Sequence, residues 1–160
     1  MGVSPCPRGD QVGPGAWADE QPVLAGLKHC NRLEQVLARR EAVAAGADEG
    51  LMRDIAGDVV SATSANLFVL QGDTWHTPPV DRCGVAGVCR AHLLPALQAR
   101  ETRLAPDGVE RADAIFLCNA VRGILAVVRV GARAFAPHPA VDDARCILAR
   151  LHPAFPTETP

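Results

Sequence analysis

Gly26-Leu27-Lys28-His29-Cys30-Asn31-Arg32-Leu33-Glu34-Gln35-Val36 is the stretch on which the reading of this chain turns. A small apolar run, Val23-Leu24-Ala25-Gly26-Leu27, leads up to a lysine, and a helical pattern follows at once. Leu33, Val36, Leu37, Arg40 and Ala44 recur on one face at helical spacing, with Gln35, Arg39 and Glu41 elsewhere. The spacing predicts a helix from near His29 to about Ala45, with Gly46 as its C-cap. Lys28 then stands where an apolar approach meets a helix start. Burial at such a junction disfavours the ammonium form and lowers the pKa, as an amine nucleophile requires. A lysine beside a helix can equally be a solvated surface group.

The totals narrow the class. A chain of 160 residues suits one domain, and a hydrophobic fraction of 48% supports a packed core rather than disorder. The net charge of −2 leaves no electrostatic footprint for nucleic acid or a membrane surface. No apolar run is long enough to span a bilayer. Met1-Gly2-Val3-Ser4-Pro5-Cys6 lacks the apolar core of a secretory signal. Six cysteines, at 6, 30, 83, 89, 118 and 146, include no Cys-x-x-Cys pair. They read as free thiols in a reducing cytoplasm, and no metal site is expected.

Residues 1–21 form the expected flexible leader. Gly and Pro are dense there, no period is visible, and Trp17 is the one large apolar group. Strand-like sequence follows the helix, from Gly50 to Ile55, then Val59-Val60-Ser61, then Asn66-Leu67-Phe68-Val69-Leu70. Gln71-Gly72-Asp73 reads as a tight hairpin, with Thr74-Trp75-His76-Thr77 returning from it. A second helix opens at Gly84-Val85-Ala86-Gly87-Val88-Cys89-Arg90, with Leu93, Leu94 and Leu97 apolar and Pro95 a kink or first-turn residue. A short helical turn is expected from Leu104 to near Ala112, strands over Ala114–Cys118 and Gly123–Val130, and a closing helix over Pro139–Leu151. The tail from Pro153 to Pro160 is expected to fray. The sum is an α+β domain of hairpin-paired strands with helices packed on the sheet.

Three further stretches could carry chemistry. Thr63-Ser64-Ala65-Asn66-Leu67-Phe68 is a polar corner running into an apolar strand, or an ordinary loop before one. Gly84 to Arg90 is a glycine-bearing helix start, whose unpaired N–H groups could hold phosphate, or simply a helix start. Cys118-Asn119-Ala120-Val121-Arg122-Gly123 is a polar turn between two strands. His29, His76, Asp142-Asp143 and Arg39-Arg40 read most simply as structural or solvated groups.

Leu-Lys-His-Cys-Asn-Arg-Leu-Glu-Gln-Val-Leu-Ala-Arg, over 27–39, resembles the Schiff-base lysine segment of the class IV pyridoxal-phosphate enzymes, fold type IV. Within that family it is most similar to the aminodeoxychorismate lyase branch, with branched-chain and D-amino-acid aminotransferases as cousins. Ser64-Ala65-Asn66-Leu67-Phe68 matches the family's Ser-Asn-Leu-Phe corner, which lines the cofactor ring. Gly84 to Arg90 matches its Gly-Val-x-Gly-x-x-Arg phosphate segment, and Asn119-Ala120 its short phosphate loop. The four matches fall in one order over about residues 22–152.

The resemblance implies the hairpin-rich C-terminal domain of fold type IV, pyridoxal 5'-phosphate as cofactor and Lys28 as the catalytic amine that carries it. It implies phosphate contacts from the N–H groups of Val88 and Cys89 and from the side chain or N–H of Asn119, with Asn66 lining the ring. The family's glutamate, which pairs with the ring nitrogen, stands five residues before the Asn. That position is Ser61 here, which can hydrogen-bond but supplies no charge. The implied reaction converts 4-amino-4-deoxychorismate to 4-aminobenzoate and pyruvate in folate synthesis, in a homodimer. The family's N-terminal α/β domain has no counterpart in the sequence, so a truncated form is expected. Class IV aminotransferase chemistry and a non-catalytic fragment are the alternatives.

Overall fold

In the computed structural model, which describes residues 10–17, 20, 22–152, 154 and 155, every long apolar run becomes a strand of one sheet. The order along the chain is β1 (Asp10–Trp17), α1 (Leu33–Ala44), β2 (Glu49–Arg53), β3 (Val59–Ala62), β4 (Asn66–Gln71) and β5 (Thr74–Thr77). Then come α2 (Val88–Ala96), β6 (Arg100–Glu101), α3 (Pro106–Glu110), β7 (Ala114–Asn119), β8 (Gly123–Val130), β9 (Arg133–Ala134) and α4 (Pro139–Leu151). Spatially the strands run β3-β2-β1-β8-β7-β4-β5-β6, with β9 paired to β8. Val59 bridges Leu104 beyond β6, so the sheet curls back on itself.

The runs in β4 and β7 are continuously apolar because both faces are covered. Leu67, Val69, Ile115 and Leu117 enter one core with Val12, Leu51, Val59 and Val127. Their alternates Phe68, Leu70, Ala114 and Phe116 enter a second, under α2 and α4, with Leu93, Val141 and Leu148. Phe68 stacks on Phe116 at 4.8 Å, and Trp75 meets the same ring edge-on. Gln71 pairs with Thr74 across Gly72-Asp73, the hairpin read from the sequence. The side chain of His138 caps α4 by accepting from the Ala140 N–H at 3.2 Å. Asp142 lies in that helix's first turn, as its charge favours.

Two expectations are corrected, and a third feature was not foreseen. Asp10–Trp17 is a strand, not part of a loop. It lies parallel to β2 and β8, and Pro14 falls where the register shifts between Gly13 and Ala16. A proline is tolerated at such an irregularity, and the pairing comes wholly from distant strands, which no local period reveals. The rest of residues 1–21 and the side chain of Trp17 lie outside the described residues, as does most of the tail after Pro153. Second, α1 starts at Leu33 rather than near His29. Arg32 donates to the Leu27 carbonyl at 2.9 Å and to the His29 carbonyl at 3.3 Å, which holds 27–32 in an irregular path. Third, α1 packs on the sheet through Ala38 and Ala42, and its larger apolar residues Leu33, Val36, Leu37 and Val43 are exposed. A Cβ on Gly50 would meet the Ala42 Cβ at 3.3 Å, so the helix sits too low for large residues on that side.

Candidate active site

The sheet leaves a cavity of about 770 Å³ where four segments meet: the approach to α1, the β3–β4 loop, the start of α2 and the β7–β8 turn. Lys28, Ser61, Asn66, Val88 and Asn119 all line it. Gly26 forms a parallel bridge with Val85, its N–H bonding the Gly84 carbonyl and its carbonyl the Ala86 N–H. Gly26 takes φ +78°, a conformation that glycine adopts freely. That bridge seats the Lys28 segment beside the start of α2. Lys28 is exposed, which corrects the expectation of a buried amine.

The start of α2 is held from the opposite wall. Asn66, buried at the head of β4, donates from Nδ2 to the Val85 carbonyl at 2.8 Å. A Cβ on Gly87 would overlap Asn66 Oδ1, so only glycine permits this approach. Gly87 is the N-cap and offers no side-chain cap. The N–H groups of Val88 and Cys89 occupy the first helical positions, where no intrahelical acceptor exists. Cys89 itself is buried outside the cavity lining; its thiol contacts the Asn119 carbonyl at 3.2 Å. Burial pushes the Cys89 thiol up, so it stays protonated.

Asn119 is more committed than the sequence suggests. Its Oδ1 accepts from the N–H groups of Val121 at 3.0 Å and Arg122 at 2.8 Å. Its Nδ2 donates to the Ser64 carbonyl at 3.2 Å, and its backbone pairs with Gly123. Its side chain therefore shapes the turn and fastens it to the β3–β4 loop.

Sequence reasoning missed a charged cluster behind this loop. Glu49, fully buried at the head of β2, accepts hydrogen bonds from Thr63, Ser64, the Gly50 N–H and Arg122, and forms an ion pair with Arg39. Burial pushes its carboxyl up, but the bonds from Ser64, Thr63 and Gly50 and the charge of Arg39 outweigh that and hold it below the usual value. Arg39, read as a solvated face, instead lines the cavity with Arg32 and Arg122. The available signal was an acid just before the apolar strand residues Leu51 and Met52.

Among the described residues the cavity lining holds the cations Lys28, Arg32, Arg39 and Arg122 and no carboxylate. A primary amine and a pair of helix-start N–H groups suit a phosphorylated aldehyde. For a ring nitrogen the lining offers the Ser61 hydroxyl.

A curled mixed sheet with an amine beside a helix-start cradle defines the class. Amino-transferase class IV sequences match residues 14–130, and the chain belongs to that family. It is 34% identical to an aminodeoxychorismate lyase of Vibrio harveyi over 117 residues, 70% of this chain and 43% of that protein. A putative branched-chain-amino-acid aminotransferase of Methanocaldococcus jannaschii is 29% identical over 112 residues, 67% of this chain and 39% of that protein. The crystal structure of 4-amino-4-deoxychorismate lyase from Pseudomonas aeruginosa superposes with TM-score 0.80 at 36% identity, covering 88% of this chain and 55% of that one. A putative 4-amino-4-deoxychorismate lyase from Legionella pneumophila gives TM-score 0.84 at 30% identity, covering 94% and 59%. The chain thus spans about half the length of the relatives it matches.

Proposed function

We propose that this chain is the cofactor-bearing part of a pyridoxal-phosphate-dependent lyase that converts 4-amino-4-deoxychorismate to 4-aminobenzoate and pyruvate, a step of folate synthesis. The observation that carries the reading is the single cavity shared by Lys28, the β3–β4 loop and the start of α2. Its similarity to lyases at 34% and 36% identity favours this chemistry.

When bound, pyridoxal phosphate supplies an electron sink for charge developing on the substrate carbon. Lys28 Nζ would anchor the cofactor and, as a free neutral amine, would take the proton from the substrate carbon that bears the amino nitrogen. The N–H groups of Val88 and Cys89 hold the phosphate against the positive end of α2. Asn66 and Asn119 keep the two ends of the cradle in register, and the Ser61 hydroxyl would face the ring nitrogen as a neutral hydrogen-bond partner. Loss of the enolpyruvyl group as pyruvate is driven by aromatisation of the remaining ring.

Residues 22–152, together with β1, constitute the cofactor domain. The exposed apolar stripe of α1 supports a homodimer. Five free cysteines among the described residues support a reducing, cytoplasmic setting. No described helix is long and apolar enough to cross a membrane.

Adding pyridoxal phosphate should produce a visible absorbance band in the wild-type chain and none in Lys28→Ala. A band unchanged in the variant removes Lys28 from the role. The aminotransferase relatives favour a second reading, amino-group transfer to a keto acid. Release of pyruvate with 4-aminobenzoate, against transfer of the amino group, separates the two.

A further inference from the structure

Glu49 lies under the cavity wall and is 0% exposed, yet it is tied to three segments besides its own strand. Oε1 accepts from the Gly50 N–H at 3.1 Å and from Thr63 Oγ1. Oε2 accepts from Ser64 Oγ at 2.5 Å, faces Arg39 Nη1 at 3.1 Å and accepts from Arg122 Nη2 at 3.4 Å. Arg122 also donates to Ser64 Oγ at 3.3 Å. Arg39 comes from α1 and Arg122 from the β7–β8 turn, so one carboxylate fixes two guanidiniums from opposite sides of the loop. Both guanidinium side chains line the cavity and both are partly exposed.

This fixture is separate from the cradle at α2, which is built by Asn66, Val85 and the Gly26 bridge. The site therefore has two preformed places for negative charge. A planar guanidinium fork matches a carboxylate, and fixing it beforehand lowers the cost of binding. We propose that Glu49 is a positioning residue that holds Arg39 and Arg122 as a seat for a carboxylate of the amino substrate. The proposal rests on the reading above, in which the α2 amides hold the cofactor phosphate.

The test is calorimetric titration of the chain, loaded with pyridoxal phosphate, with 4-aminobenzoate and with aniline, which lacks the carboxylate. Wild type should prefer 4-aminobenzoate by about tenfold or more. Arg39→Gln, Arg122→Gln and Glu49→Gln should each shrink that preference severalfold, while the visible cofactor band and the cofactor's own affinity persist. If Glu49→Gln does not fold, the two arginine variants decide. A preference retained in both arginine variants overturns the proposal, as does its absence in wild type. A large loss of cofactor affinity in the arginine variants also overturns it, because the guanidiniums would then hold the phosphate. If wild type never acquires the cofactor band, the functional reading fails instead, and the same titrations on the unloaded chain still decide the seat.

Discussion

Glu49 shows how one side chain can tie stability to pH. Its folded pKa lies below the ordinary glutamate value of 4.5. The unfolded chain therefore binds the proton more readily, and the carboxylate's contribution is present above that value and lost as pH falls through the folded one. The thermal midpoint of wild type should fall below about pH 4.5 more steeply than that of Glu49→Gln. Equal slopes would show that the Glu49 cluster adds nothing. Removal of the whole group by Glu49→Ala leaves two hydroxyls and two guanidiniums without their acceptor, and should cost about 2–4 kcal/mol in urea unfolding. The thiols divide on the same logic of burial. Burial first, then the nearby charges of Asp54, Glu20 and Asp81, push Cys83 up to about 11. Burial and Cys89 push Cys118 higher still. Because the thiolate is the reactive form, iodoacetamide at neutral pH should label exposed Cys30 and spare Cys83, Cys89 and Cys118 in the folded chain. Mass spectrometry showing Cys118 alkylated as fast as Cys30 would contradict the burial.

Elements are placed here by small residues as much as by apolar ones. The start of α2 meets β4 where Gly87 faces Asn66, and any Cβ at 87 must displace Oδ1 of that asparagine. Gly87→Ala should therefore break the Asn66–Val85 bond and destabilise the fold by about 1–3 kcal/mol. It should also weaken cofactor binding, measured by titrating the visible band, whereas Ala91→Ser on the exposed side of the same helix should do neither. Elements with their own period were legible in the sequence. Gly123–Val130 and Pro139–Leu151 match their expected bounds because a near-continuous apolar run in one and a 3.6-residue stripe in the other are local properties. Asp10–Trp17 was illegible because its partners, β2 and β8, lie far along the chain. The site divides the same way. Lys28, Asn66, Val88 and Asn119 could be picked out from contiguous wording, but Arg39, Glu49 and Arg122 meet only when three separate elements fold together. The apolar stripe of α1 was legible as one face, but its period does not say which side meets the sheet; the glycines opposite Ala38 and Ala42 fix that.

At the scale of the whole molecule that outward stripe is the feature still unaccounted for by the two cores. Leu33 is 66% and Val43 58% exposed on α1, with Leu37 on the same helix, while both faces of the central strands are already covered. Exposed apolar groups clustered on one helix mark a contact surface, and a proposed homodimer gives them an occupant. Sedimentation velocity should show wild type moving from monomer to dimer as concentration rises. The combined variant Leu33→Gln, Leu37→Gln, Val43→Gln should stay monomeric. Val36 is left intact because it lines the cavity, so cofactor binding by the monomeric variant then reports whether the site needs a second copy. None of the three side chains belongs to either core, so thermal stability measured at low concentration should stay within about 1 kcal/mol of wild type. Wild type that remains monomeric up to the highest concentration would rule out self-association through α1. A variant that dimerises as wild type does would move the interface elsewhere on the fold.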